Sequence, residues 1–211
     1  MNYKLYTVPV GPLQTNTYVY TDLLGVGVVI DPGAEAWKIE KIITSKNLLI
    51  KYVILTHAHY DHVMATDRIR ELTGARVIIY KEENELLEDN MLNLFSQFDS
   101  LSKSPPKADV LVTEMDTLTA GKLEFKFIHT PGHTKGSMCI ISKDIMFSGD
   151  TLFYRSYGRM DFPTGSHTQM ADTFKNKLYP LEVNYKVYPG HMQSTTLFEE
   201  KELNEMFLRE K

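Results

Sequence analysis

Four potential metal ligands lie within the six-residue segment 57–62, which reads HAHYDH. The segment follows an apolar run that is typical of a buried strand. Because residues i and i+2 of an extended chain point to the same side, His57 and His59 can share one metal ion. Asp61 and His62 lie where the chain turns into a predicted helix, and they can face a second ion. Hydrolytic sites hold two metal ions roughly 3.5–4 Å apart, so this segment predicts a two-metal site.

Three further candidates follow strand-like segments in the second half of the chain. His133 and His191 each end a Pro-Gly-His triplet, and Asp150 follows the apolar run 145–149. Since Pro-Gly after a strand is a turn signal, we expect these side chains at strand ends, where functional residues are common. With its two oxygens, Asp150 is the natural bridge between two cations. The candidate ligands are therefore His57, His59, Asp61, His62, His133, Asp150 and His191. We expect the two aspartates among them to be catalytic as well.

The candidate ligands offer only imidazole nitrogen and carboxylate oxygen. Such donors accept zinc, iron or manganese, and zinc is our first expectation for a pair of divalent ions. Two cations that share a bridging water lower its pKa enough to supply hydroxide at neutral pH, and one of them can polarise a carbonyl group. The only cysteine, Cys139, lies in an apolar strand and is predicted to be a buried structural thiol. The donor set thus predicts a metal-dependent hydrolase.

The order of these motifs resembles that of the metallo-β-lactamase-fold hydrolases. The matching segments are THAHYDH (56–62), PGHT (131–134), GDTLF (149–153) and PGH (189–191). Within that superfamily, the segments VIDPG (29–33) and GRMDFP (158–163) are most similar to the glyoxalase II-like branch. The resemblance implies a single α/β domain over residues 1–211, built as a four-layer αββα sandwich of two mixed β-sheets flanked by helices.

The resemblance also implies which ligands share an ion. The first metal would take His57, His59 and His133, the second would take Asp61, His62 and His191, and Asp150 would bridge both. Asp31 is not a ligand in that family, but it lies near the site. We expect it to orient a ligand histidine, to cap the turn at Pro32-Gly33, or to do both.

Candidates for substrate binding follow Asp150 closely: Arg155, Tyr157 and Arg159. Both arginines can bind a carboxylate through paired hydrogen bonds, and surface ion pairing is the alternative. In the glyoxalase II enzymes that the chain resembles, a lysine at the position of Arg159 contacts glutathione. Two departures count against glutathione here. Asp161 replaces a contacting tyrosine, and the C-terminal helical region of the longer enzymes is not expected after Lys211. Glutathione and another thiol carrier therefore both stay open.

Hydrolysis of a thioester is the reaction we expect. A departing thiolate has a parent pKa of about 8.5 and needs little protonation, and no general acid stands out in the sequence. β-Lactam hydrolysis is disfavoured because the commonest β-lactamases of this fold have cysteine or histidine at the position of Asp150. A flavodiiron oxidoreductase is disfavoured because its pattern has glutamate at the position of His59.

The principal alternative from another class is a persulfide dioxygenase on the same scaffold. By resemblance, such enzymes hold a single iron through residues that match His57, His133 and Asp150. They usually have glutamine where this chain has Pro163, and this difference favours the hydrolase. A metal-binding module without catalysis is the least favoured reading, because it would keep seven ligands for no chemistry.

The composition fits one globular enzyme domain. The chain has 211 residues, of which 43% are hydrophobic and 24% charged, and its net charge is −4. The negative charge and the lack of a Lys/Arg-rich run argue against nucleic-acid binding. The N-terminus lacks the apolar run of a signal peptide, and no apolar stretch is long enough to span a membrane. We expect a cytoplasmic enzyme with a small-molecule substrate and no membrane partner, and a homodimer stays open.

Hydrophobic periodicity predicts ten strands and five helices. The strands lie near 3–9, 15–21, 26–30, 50–55, 76–80, 109–113, 122–129, 137–142, 145–149 and 185–188. The helices lie near 35–46, 63–73, 82–96, 167–178 and 196–209. Ser166 is the predicted N-cap of the fourth helix.

The segment 81–108 is the least regular part of the pattern. Apolar residues at helical spacing predict the amphipathic helix over 82–96. Its acidic residues are predicted to form the solvated face: Glu82, Glu83, Glu85, Glu88 and Asp89. Residues 100–104 are predicted to form a loop or flap, and we expect the segment to border the substrate cleft or a dimer contact.

Overall fold

The computed structural model, which describes residues 2–98 and 105–209, contains two six-stranded sheets. The strands of the first sheet lie side by side in chain order: β1 (Tyr3–Val10), β2 (Thr15–Asp22), β3 (Val26–Ile30), β4 (Leu49–Ile54), β5 (Arg76–Tyr80) and β6 (Val110–Val112). Strand β2 is antiparallel to both of its neighbours, β1 and β3, and β3 to β6 are parallel. The first sheet is therefore mixed.

The second sheet is also mixed. The remaining strands, in chain order, are β7 (Thr117–Ala120), β8 (Leu123–His129), β9 (Met138–Ser142), β10 (Ile145–Gly149), β11 (Leu152–Phe153), β12 (Ser156–Tyr157), β13 (Lys186–Pro189) and β14 (Thr195–Thr196). The second sheet has the order β14-β13-β10-β9-β8-β7, and β11 pairs with β12 in a small separate ribbon. Within the six-stranded sheet β10 and β13 are parallel, whereas the other neighbours are antiparallel.

Short helices connect the strands. They are α1 (Ala36–Ser45), α2 (Tyr60–Val63), α3 (Thr66–Thr73), α4 (Asn84–Glu88), α5 (Phe95–Phe98), α6 (His167–Asp172), α7 (Leu197–Leu203) and α8 (Glu205–Arg209). A 3₁₀ turn at Lys81–Glu83 precedes α4, and a π-helical segment at Thr173–Leu178 continues α6. Within the described part of the chain, no helix has the length and apolar character needed to cross a membrane.

The apolar residues of the strands explain why the sheets stack. Successive strand side chains point to opposite faces, so Tyr18 and Tyr20 enter the cluster between the sheets while Val19 packs beneath α1 and α3. Between the sheets, the ring of Tyr20 makes edge contacts with Phe125 at 6.0 Å and Phe147 at 5.5 Å between ring centroids. A third cluster covers the outer face of the second sheet with α6, α7 and α8. The expected four-layer αββα sandwich is confirmed.

Strand direction brings the predicted ligand segments to one edge of the sandwich. Strands β3 and β4 are parallel and end beside each other. In the second sheet β8 and β10 are both antiparallel to β9, and β13 is parallel to β10, so these three strands also end at a common edge. The two edges meet, because the backbone N–H of Asn16 donates to Gly190 O at 2.7 Å. The loops after β4, β8, β10 and β13 therefore converge.

All ten predicted strands are present, within one or two residues at each end, whereas β7, β11, β12 and β14 were not predicted. The predicted helix 63–73 is divided into α2 and α3, and the predicted helix 196–209 is divided at Asn204. There the backbone is extended and the side-chain Oδ1 accepts a hydrogen bond from the N–H of Met206 at 3.1 Å. The predicted cap at Ser166 is confirmed, since its hydroxyl accepts from Gln169 N at 3.3 Å.

The prediction of one continuous helix over 82–96 is wrong. The helical turn ends at Asp89, whose Oδ1 accepts from the backbone N–H groups of Met91 and Leu92 at 2.8 and 3.1 Å. Asn93 Oδ1 accepts from Phe95 N at 3.0 Å and starts the next turn. Short polar side chains that bond to nearby backbone compete in this way with helix formation. The predicted loop or flap at residues 100–104 lies outside the described residues.

Candidate metal centre

The seven predicted ligands lie together at the edge where the strands converge. Their donor atoms form three overlapping groups, within each of which all atoms lie within 4.8 Å of one another. The groups are His57, His59 and His133; His57, His62 and Asp150; and Asp61, His62 and His191. The first and third groups are the two ligand sets that the resemblance implies. The assignment of particular ions to them stays a prediction.

Asp150 lies between the first and third groups. Its Oδ1 is 3.4 Å from His62 Nε2. Its Oδ2 is 3.6 Å from His133 Nε2 and 3.5 Å from His191 Nε2. One carboxylate therefore faces ligands of both groups, which is the position a bridging ligand requires.

The outer nitrogens of four of the five histidines have a protein partner, whereas the outer nitrogen of His59, Nε2, is buried without a hydrogen-bond partner among the described residues. In three of the rings Nδ1 has an oxygen acceptor, and the N–H on this nitrogen leaves the Nε2 lone pair free to bind a metal. The acceptors are Arg159 O for His133 at 2.7 Å, Leu13 O for His191 at 3.2 Å, and Asp31 Oδ2 for His62 at 2.9 Å. His57 Nδ1 lies 3.2 Å from the hydroxyl of Thr56. In His59 the inward nitrogen is Nδ1, which lies 2.8 Å from His133 Nε2.

Several inward atoms lack a protein partner. Among the described residues, His57 Nε2, His62 Nε2 and Asp150 Oδ1 are buried and accept or donate no hydrogen bond. Buried polar atoms are costly when they are not satisfied. A divalent ion would satisfy these lone pairs, and their mixed imidazole and carboxylate character suits zinc, iron or manganese. The residues therefore fit the metal pair that the sequence predicts.

Burial and neighbouring charges shift the pKa values of the predicted ligands in opposite directions. Burial raises the pKa of Asp150, but the neighbouring charges of His62 and His191 outweigh it, so that the pKa lies well below its usual range. Asp61 follows the same balance, with His62 as its main charged partner, and its pKa falls to about 2. Burial lowers the pKa of His59 to about 3. Burial lowers the pKa of His62 and of His191, but the neighbouring carboxylates Asp61 and Asp150 outweigh it and raise both pKa values. Metal ligands need ionised carboxylates and neutral imidazoles, so a bound cation would replace the protons on these two rings.

Two glycines let the backbone approach the ligands. A Cβ atom on Gly190 would lie 2.3 Å from Asp150 Oδ1, and one on Gly33 would lie 1.7 Å from the carbonyl oxygen of Asp61. Both distances are far inside van der Waals contact, so any side chain there would displace the carboxylate or the turn. This contact accounts for the glycine in the second Pro-Gly-His triplet.

Asp31 and Thr15 fix two of the ligands by hydrogen bonds. Asp31 contacts His62 directly, as predicted, and it also accepts from Thr56 N at 2.7 Å and Thr56 Oγ1 at 2.6 Å. The hydroxyl of Thr15 donates to Asp61 Oδ2 at 2.7 Å. Thr15 was not predicted from the sequence, because a threonine at the start of a strand carries no distinctive signal.

Glu83 is the largest difference from the sequence prediction. It was placed on the solvated face of a helix, but its side chain is fully buried. The carboxylate accepts from Ala58 N, Thr134 Oγ1 and Gly136 N at 2.8–2.9 Å. Burial raises its pKa to about 7, against the effect of these hydrogen bonds. The one available signal was its position just after strand β5, at the same edge as the ligands.

A pocket of about 460 Å³ opens onto the centre. Its lining comprises Leu13, His59, Tyr60, Asp61, Leu94, His133, Asp150, Phe153, Ser156, Tyr157, Arg159, Phe162, His191 and Met192. Leu94 supplies the contact of the segment 81–108 with the cleft that the sequence predicts. Cys139 lies elsewhere as a buried thiol, as predicted, and burial raises its pKa to about 12.

The three predicted substrate residues are not all in this pocket. Tyr157 and Arg159 line it. Arg155 is not part of the lining, and its guanidinium donates to Glu199 Oε1 at 2.6 Å and to Glu199 O at 3.3 Å. The structure therefore separates Arg155 from the other two and gives it the surface ion pair that was its alternative role.

Comparison with known proteins gives one family and close relatives over nearly the whole chain. Residues 10–191 match the family model described as the metallo-beta-lactamase superfamily. The probable metallo-hydrolase YqgX of Bacillus subtilis is 32% identical over 205 residues, which cover 95% of this chain and 96% of the relative. The hydroxyacylglutathione hydrolase GloC of Haemophilus influenzae is 30% identical over 205 residues, which cover 93% of this chain and 94% of the relative.

Solved structures support the same assignment. The B3 metallo-beta-lactamase BLEG-1 has a TM-score of 0.89 and 34% identity, over 97% of this chain and 99% of that one. TTHA1623 in a di-iron-bound form has a TM-score of 0.77 and 30% identity, over 95% of this chain and 98% of that one. ETHE1 from Myxococcus xanthus has a TM-score of 0.76 and 29% identity, over 98% of this chain and 88% of that one.

Replacement of Asp150 tests the shared ligand. Asp150→Ala removes the carboxylate that faces both groups, and we expect the purified protein to lose at least one metal ion per chain relative to the wild type, as measured by elemental analysis. The matched control is Asp144→Ala, because Asp144 is exposed and, among the described residues, its ion pair is with Lys186. Wild-type metal content in Asp150→Ala would rule out a shared ligand.

Proposed function

The chain belongs to the metallo-β-lactamase superfamily, and on this premise we propose that it hydrolyses a thioester at a pair of divalent metal ions, zinc being the first candidate. Two of its relatives are named as hydrolases: YqgX is called a probable metallo-hydrolase and GloC a hydroxyacylglutathione hydrolase. The thioester is our own extension. It is carried by one observation, the composition of the pocket that opens onto the metal centre.

Apart from the predicted metal ligands, the described residues that line the pocket include no carboxylic acid or histidine that could protonate a leaving group. The rest of the lining is made of apolar side chains, Ser156, two tyrosines and Arg159. Burial raises the pKa of Tyr60 above its ordinary value of 10.0, so this phenol is a weak acid at neutral pH. A thiolate has a parent pKa of about 8.5 and can depart without a proton. The pocket therefore suits a thioester better than an ordinary amide.

The protein's residues prepare the ligands and the substrate. When bound, two divalent ions supply hydroxide at neutral pH and polarise a carbonyl oxygen. Thr15 and Asp31 fix the orientations of Asp61 and His62. The apolar side chains of Leu13, Phe153 and other lining residues exclude water around a bound acyl group. Preorganised ligands of this kind reduce the rearrangement needed during reaction.

Similarity to GloC supports a thioester of glutathione as one substrate, because that relative is named a hydroxyacylglutathione hydrolase. The aligned region covers 94% of GloC, so GloC itself has no long region beyond the part that resembles this chain. The expectation that glutathione requires an additional C-terminal helical region is weakened accordingly.

The surroundings of Arg159 favour an uncharged carrier instead. Its Nε and Nη2 donate to the two oxygens of Asp161 at 2.7 and 2.6 Å, and its guanidinium carbon lies 3.9 Å from the centre of the Phe162 ring. Arg159 is the one arginine or lysine among the described residues that line the pocket. Because Asp161 occupies its paired donors, an anionic carrier has to compete for them. We propose that carriers without a carboxylate are accepted at least as well as glutathione.

Two other reactions are supported by similarity. ETHE1, at 29% identity, fits the persulfide dioxygenase alternative, and the residues for a single iron are all present: His57, His133 and Asp150. BLEG-1, at 34% identity, is described as a B3 metallo-beta-lactamase. This similarity supports β-lactam hydrolysis as an alternative, although the sequence pattern disfavoured it. The number of metal ions and the preferred substrate distinguish these reactions from thioester hydrolysis.

Metal content and activity measured on one preparation test the proposal. Protein purified without added metal should contain close to two ions per chain and should release free thiol from lactoyl thioesters. Asp150→Ala should lose nearly all of this activity, and Asp144→Ala should keep it. Close to one iron per chain with oxygen uptake on glutathione persulfide would replace the proposal with the dioxygenase. Faster opening of a chromogenic cephalosporin than of any thioester would replace it with a β-lactamase.

Asp161→Asn tests the preference for the carrier. The substitution frees Arg159 for a substrate carboxylate, so kcat/KM for the glutathione thioester should rise, while that for the uncharged N-acetylcysteamine thioester should stay within about twofold. Exposed ion pairs are weak, and the expected rise is only about threefold to fivefold. Asp144→Asn removes an exposed charge elsewhere and serves as the control. A decrease for the glutathione thioester, or equal changes for both, would contradict the role of Asp161.

A further inference from the structure

Two buried carboxylates that are not ligands hold the turn 57–62 from different directions. Asp31 follows β3, and Glu83 ends the 3₁₀ turn after β5, so they reach the turn from the strands on either side of β4. Their exposed fractions are 2% and 0%. Buried carboxylates are costly to maintain, and both are fully engaged in hydrogen bonds to the segments that carry the predicted ligands.

Glu83 connects the two segments that supply the first group. Its Oε1 accepts from the backbone N–H of Ala58 at 2.9 Å, and Ala58 lies between His57 and His59. Its Oε2 accepts from Thr134 Oγ1 at 2.9 Å and from Gly136 N at 2.8 Å, and Thr134 follows His133 directly. A single carboxylate therefore sets the spacing between the His57/His59 turn and the loop of His133.

The loop of His133 is also packed closely against the backbone of Glu83. A Cβ atom on Gly136 would lie 2.3 Å from the backbone nitrogen of Glu83. Neither segment can therefore shift freely to compensate for a lost hydrogen bond. The contacts of Glu83 do not include a ligand side chain, so the residue acts on the metal centre only through backbone position and through Thr134.

Asp31 acts on a different part of the turn. Its Oδ2 accepts from His62 Nδ1 at 2.9 Å, and His62 belongs to the third group with Asp61 and His191. It also accepts from the N–H and the hydroxyl of Thr56, the residue before His57. Its direct contact with a ligand ring is thus made to His62 alone, and its link to His57 passes through Thr56.

We propose that Glu83 is a positioning residue for the metal held by His57, His59 and His133, whereas Asp31 positions the metal held by Asp61, His62 and His191. The affinities of the two metals are then set by separate buried carboxylates. Loss of one carboxylate oxygen of Glu83 leaves buried N–H and O–H donors without a full acceptor, and the hydrogen bonds that set the spacing between the turn and the His133 loop weaken. The inference rests on the metal pair of the proposed function and is independent of the thioester.

The test measures metal binding by the two variants Glu83→Gln and Asp31→Asn. Metal-free protein is titrated with Co²⁺ by calorimetry, and anomalous scattering at the cobalt edge assigns each site. Outer hydrogen-bond partners of metal ligands typically contribute tenfold to a hundredfold in affinity. Glu83→Gln should therefore weaken the first site by about that factor and change the second by less than about threefold. Asp31→Asn should show the reverse order.

Controls separate positioning from general stability. Glu88→Gln removes an exposed carboxylate of α4 and should leave both affinities unchanged. If Glu83→Gln does not fold, Thr134→Val removes the hydrogen bonds of the Thr134 hydroxyl to Glu83 Oε2 and Ser137 Oγ and leaves the carboxylate in place. It should weaken the first site by about threefold to tenfold. Equal weakening of both sites, or a lower Tm of the metal-free protein with unchanged affinities, would overturn the proposal. Failure to cleave thioesters would leave it intact and would count against the proposed function alone.

Discussion

The structure depends on holding several buried imidazoles and carboxylates within a few ångströms of each other. Such groups are stable in an interior only when each polar atom has a partner. Here the outward nitrogens of His62, His133 and His191 bond to oxygens of the protein, and the inward atoms converge on Asp150. The protein thus satisfies these three outward nitrogens itself and leaves the inner atoms suited to metal ions. The hydrogen bonds fix the position and the tautomer of these three rings.

The sandwich supplies the geometry that this cluster requires. Strands that run in the same direction end at one edge, and both sheets place their loops there, so ligands from four loops meet without any long connection. The aromatic contacts of Tyr20 pack the two sheets against each other. Five of the predicted ligands line the pocket, and Asp61 and His191 are the more exposed of these, whereas His57 and His62 are buried behind it. Substrate would therefore approach from the side of Asp61 and His191.

The convergence of the seven predicted ligands could be expected from the sequence, because each follows a strand with strong apolar periodicity and lies in a turn with Gly or a dense histidine pattern. The position of Glu83 could not be expected, because its burial depends on contacts with Ala58 and Gly136, which are 25 and 53 residues away in the chain. The prediction of a helix over 82–96 was wrong for a local reason. The side chains of Asp89 and Asn93 bond to nearby backbone N–H groups and so compete with helix formation, although the apolar spacing of the segment is helical. Strands as short as β11 and β14 have too few residues for a period to be recognised. The pairing of Arg159 with Asp161 depends on side-chain conformations that a sequence pattern does not contain.

The central claim is that these side chains form one centre for two metal ions. The most direct measurement is anomalous X-ray diffraction from crystals of protein purified without added metal, recorded at the zinc, iron and manganese absorption edges. The account predicts two peaks roughly 3.5–4 Å apart, one beside His57, His59 and His133 and one beside Asp61, His62 and His191, with Asp150 between them. A single peak, or two peaks that do not share Asp150, would contradict it.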